Sequence, residues 1–156
     1  MLIREYRSGD RAALVEQFQA LNRHEDAITG DRRTDRAGGI DAFDAALHRV
    51  TDSGGRALVA ESDGQLVGFL FVVVEEGAVF VREELRTYAH VAEFFVREGE
   101  RGRGVGRALL AGAEKFAAAR AITRLTVSVL SGNSDALLAY AHLGFSAYSI
   151  ELAKPV

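Results

Sequence analysis

The sequence predicts a single α/β domain in which a mixed sheet is covered by helices on both faces. The chain has 156 residues, a length that suits one domain with one hydrophobic core. Strand-like and helix-like runs alternate along it. One run, Leu66–Val74, is apolar on both faces, which is typical of a strand inside a covered sheet. The predicted element order is βααβββαβαβ, giving six strands, or seven if one further short run pairs.

The first quarter of the chain predicts an edge strand followed by two helices. Leu2–Tyr6 is short and alternates, which is typical of an edge strand. Apolar residues at helical spacing predict one helix over Asp10–Leu21 and a second over Ile40–Val50. Asn22–Gly39 is polar without an apolar period, so we expect a long connection there.

The middle of the chain predicts a hairpin. Arg56–Glu61 and Leu66–Val74 are strand-like, and Ser62–Gln65 between them contains the Asp-Gly turn signal. The segment that follows is less regular. Ala78–Val81 can add a strand, and Arg82–Tyr88 is a loop or a short helix.

The last third alternates strands and helices. Val91–Val96, Leu125–Leu130 and Phe145–Ala153 are strand-like. Arg107–Arg120 and Asp135–Leu143 have helical spacing.

Composition excludes several classes of protein. A net charge of −3 argues against a nucleic-acid-binding domain. With no cysteine there is no disulfide, no thiolate metal site and no cysteine nucleophile. No apolar run approaches the ~20 residues of a membrane span, and the N-terminus lacks a signal-peptide pattern, so we expect a cytoplasmic protein. The four histidines form no metal-type pair, so we expect no metal; only His90 is expected near a substrate.

A glycine-rich turn separates Val91–Val96 from the helix that begins near Arg107. The first N–H groups of a helix have no partner within it, and glycine lets a ligand approach the backbone closely. Arg101, Arg103 and Arg107 add positive charge, unless they are only solvated surface residues. A dinucleotide fingerprint would need glycine at position 107, and the chain has no Gly-Lys-Ser/Thr triplet. A phosphate-bearing ligand therefore remains, beside the alternative of a helix start without a ligand.

The motif Arg101-Gly102-Arg103-Gly104-Val105-Gly106 resembles Gln/Arg-x-x-Gly-x-Gly/Ala, the acyl-CoA signature of the GCN5-related N-acetyltransferases (GNAT family). Further on, residues 133–145 resemble the family's second signature, Asn-x-x-Ala-x-x-x-Tyr-x-x-x-Gly-Phe. The two motifs stand in the expected order, and the resemblance covers nearly the whole chain.

The resemblance implies that the fourth and fifth strands, Val91–Val96 and Leu125–Leu130, splay apart and hold acetyl-CoA. It implies that pantetheine pairs with the fourth strand and that the pyrophosphate meets the N–H groups of the glycine turn. The residues so assigned to acetyl-CoA are Phe94, Phe95, Val96, Arg101, Gly102, Arg103, Gly104, Val105, Gly106, Arg107 and Asn133. Asn133 can equally be a helix N-cap, and both roles are compatible.

Two catalytic roles are predicted. Tyr140 matches the family's tyrosine general acid beside the CoA sulfur; the alternative is a packing aromatic on an amphipathic helix. Glu93 is the candidate base, directly or through water, because a carboxylate in an apolar strand needs an explanation; the alternative is an outward-facing charge. A base matters because an amine with a pKa near ~10.4 is mostly protonated at neutral pH. Without cysteine, we expect direct attack by the amine in a ternary complex.

The sequence thus predicts transfer of an acetyl group from acetyl-CoA to a primary amine, on a small molecule or a peptide. Alternatives are a catalytically silent acyl-CoA-binding module on the same fold and a nucleotide-binding protein. The acceptor is not identified; an acidic stretch (Glu75, Glu76, Glu83, Glu84) can attract a cationic amine or be a solvated rim. We expect neither nucleic acid nor membrane as a partner, and family analogy suggests a homodimer.

Overall fold

The computed structural model describes all 156 residues, with five strands in one sheet, five α-helices and two short 3-10 helices. The elements are β1 (Leu2–Glu5), α1 (Arg11–Thr29), α2 (Arg36–Ser53), β2 (Arg56–Ser62), β3 (Gln65–Glu76), α3 (Glu83–Arg86), β4 (Thr87–Val96), α4 (Val105–Ala118), β5 (Leu125–Val127) and α5 (Ser134–His142). The strands lie in the order β1-β2-β3-β4-β5. All neighbours are antiparallel except β4 and β5, which are parallel. The predicted mixed α/β sheet is confirmed.

Helices cover both faces of the sheet, as predicted. One core lies between the sheet and helices α1 and α2, where Phe18 stacks on Phe69 with ring centroids 4.4 Å apart. The other core lies under α4, around Leu109 and Leu110. Because β3 contributes to both cores, it is buried along nearly its whole length. No helix is both long and apolar enough to cross a lipid bilayer.

The predicted long connection over Asn22–Gly39 is wrong. Helix α1 continues to Thr29 and α2 begins at Arg36, so the two helices are joined by residues 30–35 alone. Gly30, with φ of +70°, ends α1 in the left-handed conformation that glycine adopts readily. The polar residues after Leu21 remain helical because an α-helix needs only one apolar stripe, which Ile28 extends at seven-residue spacing.

The sheet has five strands rather than six or seven. Ala78–Val81 forms a turn in which the Val81 N–H donates to the Ala78 carbonyl. Phe145–Ala153, predicted as the last strand, pairs with no other strand. Side chains that alternation would bury, Tyr148 and Ile150, are instead 75% and 83% exposed. Alternating apolar and polar residues form a β-strand only where the backbone hydrogen-bonds to a neighbouring strand, and this segment has no neighbouring strand in the chain.

The turns and caps with strong local signals form as predicted. Asp63 and Gly64 both have positive φ, +50° and +74°, as a two-residue hairpin turn requires. The Asn133 side chain accepts a hydrogen bond from the Ala136 N–H, 3.2 Å, and caps α5. Gly144 follows α5 with φ of +92°.

Candidate active site

The parallel strands β4 and β5 stay together over only three residue pairs, Ala89–Val91 with Leu125–Val127. Strand β4 then continues to Val96, still paired with β3, while the chain after Val127 leaves the sheet. The stretch 92–96 of β4 therefore has no strand neighbour on its β5 side. The predicted splay between the fourth and fifth strands is present, and an amide-bearing chain can use such an edge as a peptide does.

A β-bulge in β4 decides where Glu93 points. Glu93 lies opposite Phe71 of β3, whereas Val91 lies opposite Val72, so Ala92 is an extra residue in the ladder. Residues opposite each other in a sheet point to the same face. Phe71 belongs to the core under α1 and α2, so Glu93 points to that face as well. Without the bulge, simple alternation would turn Glu93 toward α4.

Burial, with a smaller contribution from the nearby Glu25 carboxylate, raises the pKa of the Glu93 carboxyl to about 7, and Arg49 and Arg32 partly oppose the rise. A carboxylic acid with this pKa is about half ionised at pH 7. It can therefore accept a proton at neutral pH, which an ordinary surface glutamate does poorly.

Tyr140 lies on the other side of β4. Its ring packs against Phe94, with centroids 6.1 Å apart, and against Phe145 at 5.6 Å. Phe94 borders the core under α4. Burial raises the pKa of Tyr140 to about 12, and the charge of Glu25 adds to the rise. The phenol therefore keeps its proton at neutral pH.

The glycine turn joins β4 to α4. Gly102 and Gly104 adopt positive φ, +76° and +84°, and α4 begins at Val105 without a side-chain cap. Its first N–H groups are consequently available to an anion. Gly106 packs closely on Phe94, because a Cβ there would lie 3.3 Å from Cζ and the ring would have to shift slightly.

The arginines of this turn are exposed, as either reading of the sequence allows. Arg101 donates from Nε to the Val96 carbonyl at 3.1 Å and ties the turn to the end of β4. Arg103 faces Glu100 at 3.4 Å. Arg107 lies on the exposed side of α4. Arg103 and Arg107 thus remain open to solvent near the start of that helix.

The residues that the sequence assigned to acetyl-CoA lie in four places. Phe94 and Val96 border the core under α4, close to Gly106, whereas Phe95 is buried in the opposite core. The glycine turn lies beyond the end of β4, and Asn133 lies at the start of α5. The glycine turn thus follows the unpaired end of β4, and Asn133 lies on the chain after it has left β5.

Sequence reasoning missed the contribution of α1. Its last two turns place Glu25 near both Glu93 and Tyr140, and Arg32 holds the Glu25 carboxylate with a 2.8 Å hydrogen bond from Nε. Ile28 packs so closely on the loop before α5 that a Cβ at Gly132 would lie 2.8 Å from its Cγ2. Extending the helical spacing of Leu21 to Ile28 would have revealed this part of α1.

His90 points to the same face as Glu93, because it lies opposite Val73 of the core under α1 and α2. Its Nδ1 is 2.8 Å from the Thr126 hydroxyl, which links β4 to β5. Burial lowers the pKa of the imidazole, and the charge of Arg49 lowers it further. The ring is therefore mainly neutral at pH 7.

Other features lie apart from these groups. A wide, open groove of about 1010 Å³ runs along α1 past Gln17, His24 and Phe95 to Arg101. It does not include Glu93 or Tyr140. No group of three histidine, aspartate or glutamate side chains is arranged to hold a metal ion.

Two of the four glutamates in the acidic stretch have partners within the chain, and two are exposed. Glu75 pairs with Arg49 at 2.6 Å, and Glu76 accepts a hydrogen bond from Thr87. Glu83 and Glu84 lie exposed in the first turn of α3. Half of this stretch is therefore already paired within the chain.

A family profile and a curated relative both describe acetyltransferases. A sequence profile described as "Acetyltransferase (GNAT) family" matches residues 17–145. The streptothricin acetyltransferase of Streptomyces lavendulae is 32% identical over 117 residues, which are 74% of this chain and 57% of that protein. The chain thus spans little more than half the length of this relative.

Solved structures share the fold at low identity. An aminoglycoside 6'-N-acetyltransferase from Acinetobacter haemolyticus superposes with a TM-score of 0.72 at 18% identity, over 100% of this chain and 99% of that one. A GCN5-related N-acetyltransferase from Ralstonia eutropha gives 0.74 at 24% identity, over 99% and 97%. A Bacillus halodurans protein variant gives 0.87 at 17% identity, over the whole of both chains.

Proposed function

The chain belongs to the acetyltransferase (GNAT) family, and on that basis we propose that it transfers an acetyl group from acetyl-CoA to a primary amine, on a small molecule or a peptide. The observation that carries the proposal is the placement of Glu93 and Tyr140 on opposite sides of β4, where the strand has lost its β5 neighbour. One group can accept a proton at pH 7 and the other can donate one.

The free edge of β4 and the start of α4 fit acetyl-CoA. Backbone groups of Phe94–Val96 face the side where β5 is missing, and pantetheine carries amides that can pair with them. The N–H groups from Arg103 to Arg107 suit the pyrophosphate, because a helix N-terminus stabilises negative charge. Glycine at 104 and 106 leaves room for this approach.

In this proposal Glu93 receives the proton of the acceptor amine, directly or through one water molecule. Acetyl-CoA supplies the thioester carbon, and the acceptor nitrogen forms the new C–N bond as the C–S bond breaks. Tyr140 gives its proton to the departing sulfur, the resulting phenolate takes the second proton from the acylated nitrogen, and Glu93 releases the first proton to solvent. No covalent enzyme intermediate is needed, and the chain has no cysteine to form one.

Glu93 points to the α1 and α2 side of the sheet, which supports an acceptor that enters on that side. Glu25 lies on that side and its negative charge acts on Glu93 and Tyr140. A protonated amine entering there would be attracted by Glu25 before it loses its proton. We therefore assign to Glu25 the guidance of a cationic acceptor, a role that neither signature motif contains.

The direct test measures release of free CoA from acetyl-CoA with a panel of amines that includes streptothricin-type and aminoglycoside compounds. We expect release with at least one amine and its acetylated product by mass spectrometry. Acetyl-CoA binding without release across the panel would instead support the silent acyl-CoA-binding module. Stabilisation by NAD or ATP, but not by acetyl-CoA, would contradict the CoA site itself.

A further inference from the structure

A guanidinium without an acidic partner lies at the start of β5. Arg124 immediately precedes this strand, and its Cζ lies 4.6 Å from the centroid of the Tyr88 ring and 5.1 Å from that of the Tyr148 ring. No carboxylate of the chain pairs with it. The positive charge of Arg124 is therefore held in place by two aromatic rings and is not neutralised within the chain.

Arg124 points to the same face of the sheet as Glu93. His90 shares that face, lies beside Thr126 of β5 and contacts its hydroxyl. Tyr88 and Arg124 each lie two residues earlier in the chain, and residues two apart in a strand share a face. The stacking of the Arg124 guanidinium on the Tyr88 ring agrees with this orientation. Arg124 therefore lies on the α1 and α2 side, where we propose that the acceptor enters.

Two other arginines near Glu93 already have acidic partners. Arg32 holds Glu25, and Arg49 pairs with Glu75 at 2.6 Å. These two positive charges are consequently balanced before any acceptor arrives. A negative group of an acceptor would meet an uncompensated positive charge on this side only further along β4, at the guanidinium beside Tyr88.

The open edge of the Arg124 guanidinium determines which ligand it can bind. Aromatic rings lie over it, and its Nε is buried without an acceptor. Nη1 donates one hydrogen bond to the Tyr148 hydroxyl at 3.3 Å, whereas Nη2 has no acceptor and is not buried. Neighbouring N–H groups of Nη1 and Nη2 match the two oxygens of a planar carboxylate, and such charge-assisted bonds are stronger than neutral ones. A phosphate has further oxygens for which this edge has no donor.

The distance between Arg124 and Glu93 sets the length of the acceptor. The guanidinium lies level with Tyr88, which is opposite Glu75 of β3, whereas Glu93 is opposite Phe71. Positions 71 and 75 of a strand are about 13 Å apart. A contact distance of about 3 Å then leaves roughly 10 Å between the amine and the carboxylate of the acceptor. Three residues of an extended peptide span about 10 Å.

We propose that Arg124 binds a carboxylate of the acceptor, and that the acceptor is a short peptide or a comparable compound whose amine and carboxylate lie roughly 10 Å apart. This inference rests on the proposed acetyl transfer and adds the second end of the acceptor to it. Glu25 attracts the ammonium end and Arg124 binds the carboxylate end. The two charges thus orient the acceptor with its amine at Glu93.

Glycine peptides of one to five residues, each as the free acid and as the C-terminal amide, test this inference through release of free CoA. We expect the tripeptide acid to have the lowest KM, at least about tenfold below that of its amide. In Arg124→Gln the KM of the acid should rise to that of the amide, while the KM of the amide stays the same. Arg124→Lys keeps the charge without the planar edge and should restore part of the difference.

Arg120→Gln is the matched control. Arg120 also stacks on an aromatic ring, with its Cζ 4.0 Å from the centroid of Phe116, but it follows α4 on the other side of the sheet. This variant loses the same charge and should leave both KM values unchanged. The melting temperature and calorimetric titration with CoA check that Arg124→Gln folds and keeps its CoA site.

The possible failures of this inference differ from a failure of acetyl transfer. Acetylation of amines with no preference for an acid over its amide would overturn the inference and leave the proposed transfer intact. An equal preference in wild type and Arg124→Gln would overturn the role of Arg124. A rise in KM for both acid and amide in Arg124→Gln would assign Arg124 a structural role instead. Absence of acetylation with every amine would overturn both the inference and the proposed transfer.

Discussion

Glu93 lies directly opposite Phe71 across β3 and β4, although simple alternation would place it on the other face of the sheet. The extra residue Ala92 shifts the register and turns the carboxylate toward α1 and α2. The same shift leaves Phe94 facing α4, where it meets Tyr140. One bulge thus separates the proposed base from the proposed acid and gives each its own side of the strand.

The pH dependence of turnover should follow Glu93. Because a base must be ionised to work and the pKa of this carboxyl is about 7, kcat/KM should fall as pH drops below 7, with one proton involved. Glu93→Gln should lower kcat/KM about a hundredfold or more and abolish this acidic limb. Steady-state rates from pH 5.5 to 9 measure both. Glu16→Gln, an exposed change on α1, should leave the profile as it is.

The same carboxylate should reduce the stability of the fold at high pH. Burial raises the folded-state pKa of Glu93 from 4.5 to about 7, so between these values the folded protein binds a proton that the unfolded chain does not. The stabilisation from this proton is complete below pH 4.5 and is lost as pH rises through 7. Glu93→Gln should therefore be more stable than wild type at pH 8, by up to about 3 kcal/mol, with a smaller difference at pH 5.5. Urea unfolding at both pH values decides this, and an equal difference at both would contradict it.

The sequence correctly predicts those parts of the molecule whose structure depends on a few neighbouring residues. The turn at Asp63 and Gly64, the Asn133 cap and the glycines of the turn at 102–106 each require a particular backbone conformation or hydrogen bond that few residue types provide. The apolar residues of β3 and the apolar stripe of α4 likewise indicate from the sequence that these elements are buried.

What the sequence did not reveal depends on partners distant in the chain. Nothing in the residues around Ala92 marks a bulge, because its position follows from the register of β4 on β3. The end of α1 looks polar, so the approach of Glu25 to Glu93 appears only once Ile28 has packed beside Gly132. Phe145–Ala153 has the right pattern for a strand but no neighbouring strand within the chain.

Removing the charge of Glu25 should lower the pKa of Glu93, because one like charge no longer opposes its ionisation. Glu25→Gln should shift the acidic limb of kcat/KM to lower pH. It should also raise KM for a cationic acceptor more than KM for acetyl-CoA, since Glu25 lies on the proposed acceptor side. Comparison with a neutral hydroxylamine-type acceptor separates charge attraction from packing. An unshifted pH profile would argue against the proximity of Glu25 and Glu93.

The left-handed glycine at the start of α4 should matter for both folding and CoA binding. Gly104→Ala places a Cβ at φ of +84°, which should cost about 1 kcal/mol of the free energy of unfolding and tilt the first N–H groups of α4. Gly99→Ala is the matched control, since Gly99 has no positive φ and a Cβ there meets no atom within 4 Å. Calorimetric titration with CoA should show weaker binding for Gly104→Ala alone. Equal affinity of the two variants for CoA would contradict a role of this turn in CoA binding.

Tyr140→Phe should slow turnover much more than it weakens acetyl-CoA binding. The ring contacts with Phe94 and Phe145 survive this change, so the shape of the site persists while the donated proton is lost. Because the pKa of Tyr140 is about 12, the wild-type phenol stays protonated throughout the working range. We expect kcat to fall about a hundredfold, and the dissociation constant of acetyl-CoA to change by less than about threefold. Tyr148→Phe, at an exposed position, controls for the loss of a hydroxyl.

A thioester with a more acidic leaving thiol should recover much of the rate that Tyr140→Phe loses, because its sulfur needs no proton to depart. Equal losses in rate and binding, or no recovery with that substrate, would assign Tyr140 a packing role.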